Sequence, residues 1–130
     1  MRSEILVVDD DDEIQETLRE ILEDEGYRVA VAGNGAEALE RLRVRRPALI
    51  FLDLMMPVMN GARFRAVQLA EAAWADIPTV VLTAQTLAPG AERELRATRL
   101  LAKPVSLREL LEIARLYCAL RSGGGEGCKG

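Results

Sequence analysis

Acidic, hydroxyl and amino side chains recur in this 130-residue chain directly after short apolar runs. Residues 5–8 run into Asp9 and Asp10, and residues 48–52 run into Asp53. Residues 79–82 run into Thr83, and residues 100–102 into Lys103. Three carboxylates, a hydroxyl and an ammonium suit a hard cation such as Mg²⁺ or Mn²⁺, which takes carboxylate and carbonyl oxygens and keeps several waters. An aspartate can also attack a phosphoryl group and become an acyl phosphate. The spread negative charge of the transferring group then calls for a cation, a lysine and a hydroxyl or backbone donor around it. The run from Asp9 to Glu13 sharpens the point. Like charges about 4 Å apart repel by on the order of 4 kcal/mol at an effective dielectric near about 20. Acids crowded beside a buried strand need compensation as a cation site, a helix cap or a solvated loop.

Other chemistries are excluded. The chain has no histidine, which removes Ser-His-Asp and Cys-His catalysis and zinc sites built on imidazole. Cys118 and Cys128 lack CxxC spacing and read as a helix thiol and a tail thiol rather than a disulfide framework. A net charge of -4 argues against nucleic acid and anionic membrane as partners, since both want a basic face. The opening MRSEILVV is too short and too soon charged for a signal peptide, and no apolar run approaches about 18 residues. The expected location is cytoplasmic.

The elements that must position these residues alternate. Ile5 to Val8 reads as a strand buried on both faces. Ile14, Leu18, Ile21 and Leu22 repeat at helical spacing, and Gly26 stops that helix. A second strand spans 29–32, a helix 36–42, a third strand 48–52, and a third helix is marked by Phe64, Val67 and residues 69–73. A fourth strand follows at 79–82, a weaker helix at about 91–97 and a brief fifth strand at 100–102. Ser106 with Glu109 fits a capping box. It opens a last helix with Leu107, Leu110, Leu111, Ala114 and Tyr117 on one face. Five strand–helix pairs imply parallel pairing with right-handed crossovers, a three-layer α/β sandwich in one domain. In such sheets ligands sit beyond the carboxyl ends of the strands, where Asp9, Asp10, Asp53, Thr83 and Lys103 all fall. Residues 122–130, SGGGEGCKG, read as a flexible tail after a domain of residues 1–121.

With these residues in place, the chain resembles the receiver domain of response regulators in two-component signalling. The matching stretches are ILVVDD at 5–10, DLMMPVMNG at 53–61, LTA at 82–84 and Lys103-Pro104. Each motif alone is weak, but four in order at strand ends are specific. The resemblance implies a flavodoxin-like, doubly wound sheet of order 2-1-3-4-5. It implies Asp53 as phosphoacceptor, and Asp9, Asp10, Asp53 and the backbone carbonyl of Met55 as ligands of Mg²⁺ or Mn²⁺. Thr83 would reach the phosphoryl group, Lys103 would pair with it, and Pro57 and Gly61 would shape the loop after the acceptor. The donor would be a histidine kinase or a histidine phosphotransfer protein, and output would pass by protein contact to a downstream target. The domain itself would assist its phosphorylation and dephosphorylation. Side chains at Met55 and Gln85 would tune the lifetime of the phosphoryl group.

The chain departs from the family pattern at Leu100, where a tyrosine or phenylalanine usually completes a switch with the threonine. Two other classes compete with the signalling reading. One is a Mg²⁺-dependent phosphatase with an aspartate nucleophile, of the haloacid-dehalogenase type. Those enzymes place a second aspartate two residues on, where this chain has Met55. The other is a receiver-like interaction module that works without phosphorylation. Arg43, Arg45 and Arg46 read as a solvated helix end, and Trp74 as a packed helix-end residue.

Overall fold

Ile5, Leu6, Val7 and Val8 are each at most 1% exposed, so the unbroken apolar run does belong to a strand covered on both faces. The computed structural model describes residues 3–84 and 90–121. Its strands are β1 (Glu4–Val8), β2 (Arg28–Ala32), β3 (Leu49–Asp53), β4 (Thr79–Thr83) and β5 (Arg99–Ala102). Its helices are α1 (Asp12–Asp24), α2 (Gly35–Val44), α3 (Gly61–Ala70), α4 (Ala91–Leu95) and α5 (Leu107–Arg121). The strands form one parallel sheet of order β2-β1-β3-β4-β5. This is the doubly wound, three-layer sandwich expected from the sequence.

Alternation along each strand divides the core in two. Ile5, Val7, Leu49, Phe51, Val80 and Leu82 pack with Leu18 and Leu22 of α1 and with Leu110, Ile113 and Ala114 of α5. Leu6, Val8, Ile50, Leu52 and Val81 pack on the other face with Ala38, Leu39 and Leu42 of α2, Phe64 of α3 and Leu95 of α4. Gly26 takes a positive φ of 100° just past α1, and its N–H donates to the Glu23 carbonyl, closing the helix end.

Two helices differ from expectation. The third ends at Ala70 rather than Ala73. Its buried face is Phe64, Arg65 and Gln68, while Val67 is 37% exposed. The Gln68 side-chain amide donates to the carbonyls of Trp74 and Ile77, so residues 71–77 fold back across the helix end instead of extending it. Trp74 lies in that turn, half-buried against the α2–α4 side of the core. In α5 the buried residues are Leu110, Ile113, Ala114 and Cys118, while Leu107 is 48% exposed. The Ser106 hydroxyl does accept from the Glu109 N–H at 3.3 Å. Helix α4 is only five residues long and stops at Arg96, which is left-handed at φ 50°. The expected tail at 122–130, with Cys128, and Gln85 lie outside the described residues. Arg43, Arg45 and Arg46 each meet a carboxylate, on Glu40, Glu4 and Asp76 respectively. No helix among the described residues is long and apolar enough to cross a membrane.

Candidate functional site

Strand ends bring the acids together. Asp53 is the last residue of β3, and Asp9 and Asp10 follow β1, its neighbour in the sheet. Carboxylate oxygens of Asp9, Asp10 and Asp53 all lie within 4.8 Å of one another. Asp9 is fully buried, Asp53 is 5% exposed and Asp10 is exposed. Lys103, after β5, reaches across β4 to both buried acids. Its Nζ lies 3.0 Å from Asp9 Oδ2 and 3.2 Å from Asp53 Oδ1. The Lys103–Pro104 peptide is cis. Thr83 ends β4 in register with Ala102, and its carbonyl accepts from the Lys103 N–H at 2.9 Å. The threonine and the lysine therefore share one backbone contact at the rim.

The charges do not balance. Three carboxylates cluster beside one ammonium, which pairs with Asp9 and Asp53. Burial, then the neighbouring Asp9 charge, pushes the Asp53 carboxyl above its ordinary value, and Lys103 and the Met55 backbone N–H only partly offset this. Burial alone would lower Lys103. Its hydrogen bond to Asp9 and the charges of Asp9 and Asp53 outweigh that and hold its ammonium above the usual lysine range. An oxygen donor set with surplus negative charge, partly open through Asp10, fits a hard divalent cation.

Local geometry sets this arrangement. The Asp11 carboxylate caps α1 by accepting from the N–H groups of Glu13 at 2.9 Å and Ile14 at 3.3 Å. The acidic run thus divides between a cluster at Asp9 and Asp10 and a cap at Asp11. After Asp53, Gly61 opens α3 so close to β3 that a Cβ there would stand 2.3 Å from the Asp53 carbonyl oxygen. Glycine is the residue that fits, as the PVMNG motif suggested. Pro57 closes the loop by accepting from the Met59 N–H at 2.7 Å. Met55, two residues after Asp53, is 68% exposed. Leu100 is half-buried against the core on the α2–α4 side of the sheet.

One contact was not foreseen from the sequence. The Gln15 side-chain amide of α1 donates to the carbonyls of Asp9 and Ala32. A glutamine among helix-surface polar residues carries no signal that it turns back onto a strand end.

Comparisons with known proteins agree with the fold and the motifs. A family model described as the response regulator receiver domain matches residues 5–115. The DNA-binding response regulator MtrA of Mycobacterium tuberculosis is 40% identical over 128 residues, 97% of this chain. The chain spans about half the length of that relative, 54%. The chemotaxis protein CheY4 of Vibrio cholerae superposes with a TM-score of 0.82 at 31% identity, covering 90% of this chain and 99% of that one. The receiver domain of a sensor histidine kinase from Pseudomonas aeruginosa, solved with a magnesium ion coordinated in its active-site cleft, superposes with a TM-score of 0.80 at 28% identity. That match covers 90% of this chain and 98% of the other.

Proposed function

The chain belongs to the response regulator receiver domain family of two-component signalling, and from that premise we propose that Asp53 accepts a phosphoryl group from a phosphohistidine. The donor is a sensor histidine kinase or a histidine phosphotransfer protein. The observation that carries this reading is the buried Asp53 carboxylate facing Lys103 within a cluster of surplus negative charge. In the reaction an Asp53 carboxylate oxygen attacks phosphorus. The phosphorus–nitrogen bond breaks, and the imidazole leaves with the electron pair. Lys103 and the Thr83 hydroxyl then stabilise the phosphoryl oxygens. Asp9, Asp10, Asp53 and the Met55 carbonyl would hold Mg²⁺ or Mn²⁺, which supplies charge neutralisation for the phosphoryl group. Later hydrolysis by water returns Asp53 to the carboxylate.

Burial raises the basicity of Asp53, which favours attack on phosphorus. A groove of about 270 Å³ beside Lys103, walled by Ile14 and Leu18 of α1 and by Pro104 and Val105, offers the donor an apolar seat next to the acceptor. Output follows as phosphorylation-dependent protein contact. Without an aromatic at Leu100, the change at Thr83 passes outward through the backbone contact it shares with Lys103. Met55, a thioether with no hydrogen bond to offer water, lengthens the phosphoryl lifetime. Gln85 is the second tuning position.

Incubation with Mg²⁺ and a small acyl-phosphate donor, read by intact mass, tests this. A single phosphoryl adduct, absent in Asp53→Asn, is expected. Turnover of the donor with no adduct would favour a phosphatase of the aspartate-nucleophile type. No adduct and no turnover would favour an interaction module that works without phosphorylation.

A further inference from the structure

Asp9 and Asp10 are joined by one peptide unit, made of the Asp9 carbonyl and the Asp10 N–H. The unit is planar, so turning it changes the backbone on both sides and swings the two carboxylates relative to each other. The other contacts of Asp9 hold different atoms. Its N–H donates to the Ala32 carbonyl at 3.0 Å, its Oδ1 accepts from the Asp11 N–H at 2.9 Å, and its Oδ2 accepts from Lys103. Of these only the turn from Asp9 Oδ1 to the Asp11 N–H spans the plane that follows, and none of them touches the carbonyl of that plane.

Gln15 addresses that plane. Its Nε2 donates to the Asp9 carbonyl at 2.5 Å and to the Ala32 carbonyl at 3.1 Å. A side-chain NH₂ has two hydrogens to give, and two carbonyls of adjacent strand ends receive them. Asp9 is fully buried, so its carbonyl has no bulk water to turn to if that donor is lost. Gln15 is itself fixed, because its backbone N–H donates to the Asp11 carbonyl at 3.0 Å in the first turn of α1.

We infer that Gln15 is a positioning residue for the cation site, locking the Asp9–Asp10 peptide and with it the spacing of the two carboxylates. The inference rests on reading Asp9, Asp10 and Asp53 as that site. Calorimetric titration of the folded chain with Mg²⁺ at fixed ionic strength tests it without any turnover. Gln15→Met keeps length and neutrality and removes both donors, and the dissociation constant should rise about tenfold. Gln15→Glu keeps the shape, turns a donor into an acceptor and adds a negative charge. A purely electrostatic role would make Mg²⁺ bind more tightly to Gln15→Glu, whereas a positioning role makes it bind more weakly.

Weaker binding in both variants supports the inference. Binding of Gln15→Met within about twofold of the unaltered chain, or tighter binding of Gln15→Glu, overturns it. Asp10→Asn runs alongside. If it binds Mg²⁺ as the unaltered chain does, the cation-site reading falls and the inference with it. Should Gln15→Met not fold, exchange of the Gln15 side-chain amide protons in the unaltered chain reads the same contact. Slowed exchange supports the lock, and exchange at the free-amide rate overturns it.

Discussion

Two buried polar clusters lie at opposite ends of the strands, and they differ in whether the protein finishes them. At the start of β4, Arg65 of α3 is 4% exposed, yet among the described residues it pairs with no carboxylate. It donates to the carbonyls of Leu95 and Arg96 at 2.8 and 2.6 Å and to the Thr79 hydroxyl at 3.0 Å. Gln68 joins Thr79, and Thr98 accepts from the Thr79 N–H. Neutral oxygens complete this cluster, and it ties the end of α4 to α3 and β4. At the carboxyl ends of the strands, Asp9 and Asp53 are just as buried but are left with more negative charge than Lys103 can cancel. Among the described residues no buried side-chain nitrogen or oxygen lacks a hydrogen bond. Satisfaction alone therefore does not separate the two clusters. The sign of the surplus charge and its access do: the Arg65 guanidinium is closed in by carbonyls and a hydroxyl, whereas the acidic cluster is negative and open through Asp10, as a site for a cation would be.

The largest effect expected from this contrast is in the finished cluster. Arg65→Met takes the guanidinium donor from the carbonyls of Leu95 and Arg96 and leaves the Thr79 hydroxyl with Gln68 alone as donor. It should cost about 3 kcal/mol, near 12 °C in thermal midpoint, with phosphoryl acceptance by the folded protein unchanged. Lost acceptance in folded Arg65→Met would break the contrast. Next comes Lys103→Met, which strips the acids of their ammonium. Stability should fall by about 2 kcal/mol without divalent cation, and Mg²⁺ should restore most of it. Thermal melts with and without Mg²⁺ read both parts, and a loss that Mg²⁺ does not reverse would contradict the surplus-charge account.

Asp53→Asn should act in the opposite direction. Burial raises the folded-state Asp53 carboxyl above its unfolded value, so ionisation on raising the pH works against the fold. The substitution should therefore lift the midpoint at neutral pH by about 3 °C. The gain should shrink as the pH falls into the carboxylate range, where Asp53 takes up its proton. A gain that persists in acid would contradict this. Met55→Asn should leave stability untouched and shorten the half-life of phospho-Asp53 about fivefold, the worth of one modest hydrogen bond to attacking water. An unchanged half-life would remove Met55 from the lifetime argument.

The contrast also explains what was legible in the sequence. The central strands β1, β3 and β4 are covered on both faces and read as unbroken apolar runs, and the half-covered edge strands β2 and β5 still read as short ones, so all five could be placed to within a residue or so, and the strand-end rule led from them to Asp9, Asp10, Asp53 and Lys103. Helix α3 was less legible because its buried face carries Arg65 and Gln68, which apolar periodicity counts as surface. The apolar residues of 69–73 pointed onward where the chain in fact turns. The exposed Leu107 misled in the same way at the start of α5. Gln15 was invisible because its role depends on two carbonyls, and backbone groups leave no mark in a sequence.

The most direct test of the central claim is to locate the phosphoryl group. After incubation with Mg²⁺ and an acyl-phosphate donor, peptide-resolved mass spectrometry should find it on Asp53 and on no other residue. A phosphoryl group on Asp10 or on any hydroxyl, or none on Asp53 while the donor is intact and Mg²⁺ is bound, would contradict the account.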